Sequence, residues 1–163
     1  MKQQDKQQKG FTIIEVVLVL AIAGLIFLIV FLAVPALQRS QRDTQRRNDV
    51  SRMMSQVSQY QSNNQGQVPG SKSGSSASNQ LSDFVDRYLT TSSDQFSDPT
   101  TGDPYDVQIG NGTTKPASDA YGTIFYYMNT RCNGEDVEAG AGGRNVAVVT
   151  PLEGGAYFCQ DNT

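Results

Sequence analysis

The sequence predicts an α+β chain in which a long N-terminal helix, transmembrane in its first half, packs against a small antiparallel β-sheet. Three observations carry this reading. Of the 27 residues from Phe11 to Leu37, 23 are apolar, the exceptions being Thr12, Glu15, Gly24 and Pro35. Beyond them the chain turns polar, yet Val50, Met53, Met54, Val57 and Tyr60 recur at helical spacing. The last third then runs in short β-rich stretches between Gly-rich turns.

Composition narrows the function classes early. With 163 residues the chain is one modest domain, and it has no His. That excludes Ser-His-Asp and Cys-His hydrolases and His-ligated zinc. Two Cys cannot form a Cys₄ cluster. A pI near 4.8 argues against non-specific nucleic-acid binding.

The elements follow in order. Val16 to Leu37 is a 22-residue uncharged run, about 33 Å of helix, enough for the ~30 Å core of a bilayer. Before it, Met1 to Gly10 carries Lys2, Lys6 and Lys9 against Asp5. An ordinary secretory signal cut at Ala21-Ile22-Ala23 is disfavoured, because the apolar run continues past Ala23 and Glu15 sits inside it. A carboxylate within a membrane helix usually marks function.

Lys9-Gly10-Phe11-Thr12-Ile13-Ile14-Glu15-Val16 resembles the processing site of the type IV pilin family, which includes pseudopilins and competence pilins. The resemblance implies a pilin-like fold and a membrane prepilin peptidase that cuts after Gly10 and N-methylates Phe11. It divides the chain into a leader (1–10), a transmembrane and assembly half-helix (11–37), an amphipathic half-helix (38–62) and a head (63–163). A carboxylate buried in a helix bundle needs a partner, and the freed Phe11 amine is the nearest constant positive charge to Glu15. The resemblance assigns that pair to neighbouring subunits, where it sets their stagger. It also implies that the stretch between Gly24 and Pro35 melts in the filament; Pro35 removes a helix donor in any case.

The implied partners are copies of the chain in a helical homopolymer, the peptidase, a pilus assembly platform and, before assembly, membrane lipid. No catalytic residue, cofactor or metal is expected, and no nucleic acid at the acidic head. Location is expected in the inner membrane with the C-terminal domain outside, then in an extracellular filament. Counted alone, Arg39, Arg42, Arg46, Arg47 and Arg52 outweigh the N-terminal lysines and would put the C-terminal side inside. The resemblance and the Cys pair point the other way.

From Gln38 to Gln61 the helix continues. Phe11–Gln59 carries a net +2 and Tyr60–Thr163 a net −7. This sign difference reads the five arginines as meeting acidic surfaces of adjacent subunits rather than DNA. Asn63–Ser82 reads as a flexible Gly/Ser/Asn loop and Leu81–Leu89 as a short amphipathic helix. Ser97–Tyr105 is a dense turn cluster, similar to the loop that precedes the sheet in many pseudopilins.

Strands are expected at Tyr105–Ile109, Thr123–Met128, Asn145–Thr150 and Ala156–Gln160. Gly110-Asn111-Gly112 reads as a turn and Glu153-Gly154-Gly155 as a hairpin loop. Cys132 and Cys159 bridge if they lie at strand ends on one side, and many pilins have a similar C-terminal disulfide. Asp94, Asp98, Asp103 and Asp106, or Glu135, Asp136 and Glu138, offer Ca²⁺ ligands without EF-hand spacing, and solvated acidic loops are the default. Asn111-Gly112-Thr113 is an N-glycosylation sequon. The favoured function is a type IV pilin. The alternatives are a pseudopilin or minor pilin of a secretion or competence system, or a single-pass binding module.

Overall fold

A computed structural model describes residues 10–90, 96–112 and 120–163. Asp94, Thr113 and the leader residues before Gly10 lie outside them. The chain divides into two compact units, Met1–Arg39 and Ser40–Thr163. Helix α1, Ile13–Asn63, contributes to both.

Among the described residues of the first unit, nothing packs against α1. Every large apolar side chain from Phe11 to Leu37 is exposed, Phe11 at 90% and Phe31 at 77%. Such a helix, apolar all round, is stable only when something other than water surrounds it. Gly24 and Pro35 are both helical here. Among the described helices, α1 alone is long and apolar enough to cross a membrane.

The second unit is a head built on the other half of α1. Val50, Met53, Met54 and Val57 are buried and Tyr60 packs beside them. Against this stripe lies a four-stranded sheet in the order β1-β2-β5-β6, formed by Asp106–Ile109, Thr123–Met128, Val146–Pro151 and Tyr157–Asp161. A separate ribbon pairs β3 (Thr130–Asn133) with β4 (Asp136–Ala139).

Strand β5 explains the layering. All six of its residues are buried. Alternation sends Val146 and Val148 to the helix side and Ala147 and Val149 to the other. The second face is covered by Tyr127 and Val137, with Cys132, Tyr157 and Cys159 packed around them.

Two expectations need correction. The sheet is mixed: β2–β5 and β5–β6 are antiparallel, but β1 runs parallel to β2 with Asp106 opposite Thr123. Parallel neighbours cannot be joined by a two-residue hairpin, so Gly110-Asn111-Gly112 is not a hairpin turn between β1 and β2. Glycine is required at 110 by close approach, since a side chain there would overlap the Tyr127 ring. The Asn63–Ser82 stretch is also more ordered than a flexible loop. Val68 is buried, and Ser76 caps helix α2 (Ala77–Phe84) by accepting from the Asn79 N–H. A π-helical turn, Val85–Leu89, follows directly.

Cys132 on β3 and Cys159 on β6 form a disulfide with Cα atoms 5.8 Å apart. Their sequence separation of 27 makes the bridge worth about 3–4 kcal/mol in the chain-entropy account. It fastens the polar ribbon to the edge strand, and the Cys132 N–H also donates to Asp161 Oδ2 at 2.6 Å. Replacing both cysteines with Ser is expected to lower the head's stability by that amount. With a slope near 1.5 kcal/mol/M, the urea midpoint should fall by about 2 M. A shift within error would show that the ribbon is held by packing alone.

Tyr126 is fully buried, and among the described residues its hydroxyl has no hydrogen-bond partner. Leaving such a group dry costs about 1–3 kcal/mol. Tyr126→Phe is therefore expected to raise stability by about 1 kcal/mol in urea denaturation. A loss of similar size would mean the hydroxyl is bonded to a buried water.

Candidate functional site

Gly10 and Phe11 lie ahead of the helix in non-helical, exposed backbone. Among the described residues, nothing lies within 4 Å of where a Gly10 side chain would stand. Helix α1 then starts on a reciprocal cap. Thr12 donates its N–H to Glu15 Oε2 at 2.9 Å and its hydroxyl to the same oxygen at 2.8 Å, while the Glu15 N–H points back to Thr12 Oγ1 at 3.4 Å. This is a capping box, and Thr-x-x-Glu is its sequence signature. The spacing at Thr12 and Glu15 was open to that reading from the sequence, which instead points Glu15 to the Phe11 amine. Phe11, joined to Gly10, has no free amine, and among the described residues the hydrogen bonds of the Glu15 carboxylate come from Thr12.

The tip is thus an open peptide bond, a bulky aromatic and a capped carboxylate at the head of an apolar rod. Downstream, Gly24 and Pro35 sit within that rod, with open space beside Gly24. The Cys132–Cys159 bridge lies in the head.

Three of the five arginines, Arg42, Arg46 and Arg52, have partners within the chain. Arg46 is fully buried and forks onto Asp98, Nε to Oδ2 at 2.7 Å and Nη2 to Oδ1 at 3.2 Å. Its Nη1 reaches Asp43 at 3.0 Å, and Thr100 Oγ1 accepts from Nη2. Arg42 forks onto Glu153, with Nη2 at 2.8 Å from Oε2. The Glu153 N–H in turn donates to Asp43 Oδ1 at 3.0 Å. Residues 42, 43 and 46 share one helix face, and the turn cluster and the β5–β6 hairpin loop both close on it.

Arg42 and Arg46 are therefore satisfied within their own chain rather than by another subunit. Arg52 donates to the Leu89 carbonyl at 3.0 Å. Arg39 and Arg47 remain exposed, the Arg47 guanidinium 5.8 Å from the Phe158 ring centre.

Electrostatics follow from this geometry. Burial alone would raise the Asp98 carboxyl, but Arg46 and the N–H groups of Thr100 and Thr101 outweigh it and hold it below the ordinary value. Glu153 is held at about 2, chiefly by its hydrogen bonds from Arg42. Asp49 moves the other way: burial raises it despite the Tyr105 hydroxyl donating at 3.0 Å.

Asp98 also organises the turn cluster. Its side chain accepts from the Thr100 N–H at 2.8 Å, and its carbonyl accepts from the Gly102 N–H at 2.8 Å, where Gly102 adopts a φ of 76°. The acidic residues read as alternative Ca²⁺ ligands are dispersed. Asp98 is occupied by Arg46, Asp106 accepts from Gln108, and Glu138 pairs with Arg131 across β3–β4 at 2.9 Å. Among the described residues no group of three or more potential metal ligands is assembled.

Comparison with known proteins adds one finding at the tip. Residues 5–31 match the family described as the prokaryotic N-terminal methylation motif. No curated protein and no solved structure matches the chain. The match spans the open Gly10–Phe11 peptide, the Thr12–Glu15 cap and the exposed apolar turns that follow. The chain carries a prokaryotic N-terminal methylation motif, a type IV prepilin-like signal, at residues 5–31.

Proposed function

We propose that the chain is a structural subunit of a type IV pilus-like filament, polymerising through residues 11–37 after removal of residues 1–10. The observation that carries this reading is the bare apolar rod behind a methylation motif, with Glu15 its single charge. Such a rod has two stable environments, lipid and a bundle of its own copies. Outside the bilayer its exposed side chains would cost on the order of tens of kcal/mol per subunit unless neighbours covered them.

The chain is then a membrane-held precursor, cut between Gly10 and Phe11 by a prepilin peptidase and methylated on Phe11. An assembly platform draws it into a polymer of identical subunits. The disulfide supports an oxidising location for the head, outside the cytoplasm. The chain supplies packing and registry in this role, and no reaction is assigned to it.

The test is the N-terminus of the protein from its native membrane or from sheared surface material. Mass spectrometry should find N-methylated Phe11 as the first residue. A native chain that retains residues 1–10 would overturn the proposal. Filaments made mainly of this chain mark a major pilin, whereas trace amounts mark a minor pilin or pseudopilin.

A further inference from the structure

A cleft of about 370 Å³ opens in the head, far along the sequence from the methylation motif. It is bounded by the last turns of α1, residues 72–75, and α2 with its π-helical turn. Its size falls within the range of small-ligand sites.

One wall is aromatic. Tyr60 meets Phe84 and Tyr88 edge-on, each at 5.7 Å between ring centres, and Phe84 and Tyr88 stack at 5.3 Å. The π-helical turn Val85–Leu89 delivers Tyr88 to this position. Single π turns are rare and are found often at functional sites.

The opposite wall is fixed in advance. Gln80 accepts from the Lys72 N–H at 2.9 Å and donates to the carbonyls of Lys72 at 2.7 Å and Ser75 at 3.0 Å. The Lys72 ammonium donates to Asn64 Oδ1 at 3.3 Å. Among the lining groups left over are one carboxylate and two phenols. Among the described residues, the Asp83 carboxylate and the hydroxyls of Tyr60 and Tyr88 have no hydrogen-bond partner.

From this arrangement we infer that the cleft is a binding site for a neutral pyranose sugar. A pyranose ring has an apolar C–H face and a rim of hydroxyl donors. The half-buried Tyr60 and Tyr88 offer amphipathic aromatic surface to the first, and the Asp83 carboxylate and the two phenols offer partners to the second. The lining carries two cationic side chains, Lys72 and Arg87, together with the Asp83 anion, so the cleft has no strong field of one sign to select a polyanion. The locked Gln80–Lys72 wall removes an ordering cost that a floppy loop would impose.

The test uses the full chain in phospholipid nanodiscs, since glucoside and maltoside detergents carry the ligand chemistry themselves. Methyl glycosides of glucose, galactose and mannose are titrated, with glucuronate and inorganic phosphate as anionic comparisons. Saturation-transfer NMR and tyrosine fluorescence report binding. At least one neutral glycoside should saturate in the millimolar range, as expected for a small open site.

Asp83→Asn, an exposed substitution, should weaken that binding about tenfold with the far-UV spectrum unchanged. Tyr88→Leu should abolish it. The inference fails if no neutral glycoside saturates, if glucuronate or phosphate binds more tightly, or if Asp83→Asn binds as the unaltered chain does.

Discussion

Arg46→Met is expected to destabilise the folded head by about 3–5 kcal/mol, the usual cost of removing one partner from a buried ion pair. Arg46 and Asp98 both have fully buried side chains. Methionine fills much of the space but leaves the Asp98 charge stranded. Against a typical net stability of about 5–15 kcal/mol, that is about a fifth of the total or more. Urea denaturation of the full chain, followed by far-UV circular dichroism, measures it.

The pH dependence distinguishes this cause from simple loss of packing. In the unaltered chain Asp98 and Glu153 are held below their ordinary values. Their contribution is present above the unfolded carboxyl value of about 4.3 for Glu153 and is lost as pH falls towards about 2. Asp49, raised by burial, works in the opposite sense and partly offsets that loss. Without Arg46, desolvation dominates Asp98 and its carboxyl should rise, so protonation relieves the variant. The stability gap should therefore narrow as pH drops from 6 to 3. A gap that is constant with pH would assign the loss to packing and sink the ion-pair account. Adding Asp98→Leu should recover only part of the loss, because the N–H groups of Thr100 and Thr101 lose their acceptor.

How much of this was legible in the sequence depends on whether the signal was local. The apolar rod is one continuous run and the Val50–Tyr60 stripe is periodic, so both were readable. The direction of β1 was not, because alternation at Asp106–Ile109 fits either orientation. The β3–β4 ribbon escaped for another reason. Val137 is its one deeply buried apolar side chain, and ribbon and disulfide hold the rest in place. Glu153 read as a residue of a hairpin loop, yet its partner Arg42 lies 111 positions away, a pairing that no local pattern carries. The Thr12–Glu15 cap is the opposite case. Its Thr-x-x-Glu signature is local and stands in the sequence at Thr12 and Glu15.

That cap sharpens the second prediction. Glu15→Gln is expected to leave membrane insertion and the first turn of α1 intact while abolishing filaments. Gln serves a capping box as Glu does, so Thr12 keeps its acceptor. Removing a charge from an apolar helix also eases insertion. What the substitution deletes is the negative charge alone, the property that pairing with a neighbour's Phe11 amine requires. Gln at position 15 would accept the same hydrogen bonds from Thr12, so the cap by itself does not require a charge there. Cell fractionation should find the processed variant in the membrane, with no filaments in sheared material or by electron microscopy. Normal filaments from Glu15→Gln would reduce Glu15 to a helix cap and overturn the registry role. Filaments lost in Glu15→Ala but kept in Glu15→Gln would assign assembly to the cap itself.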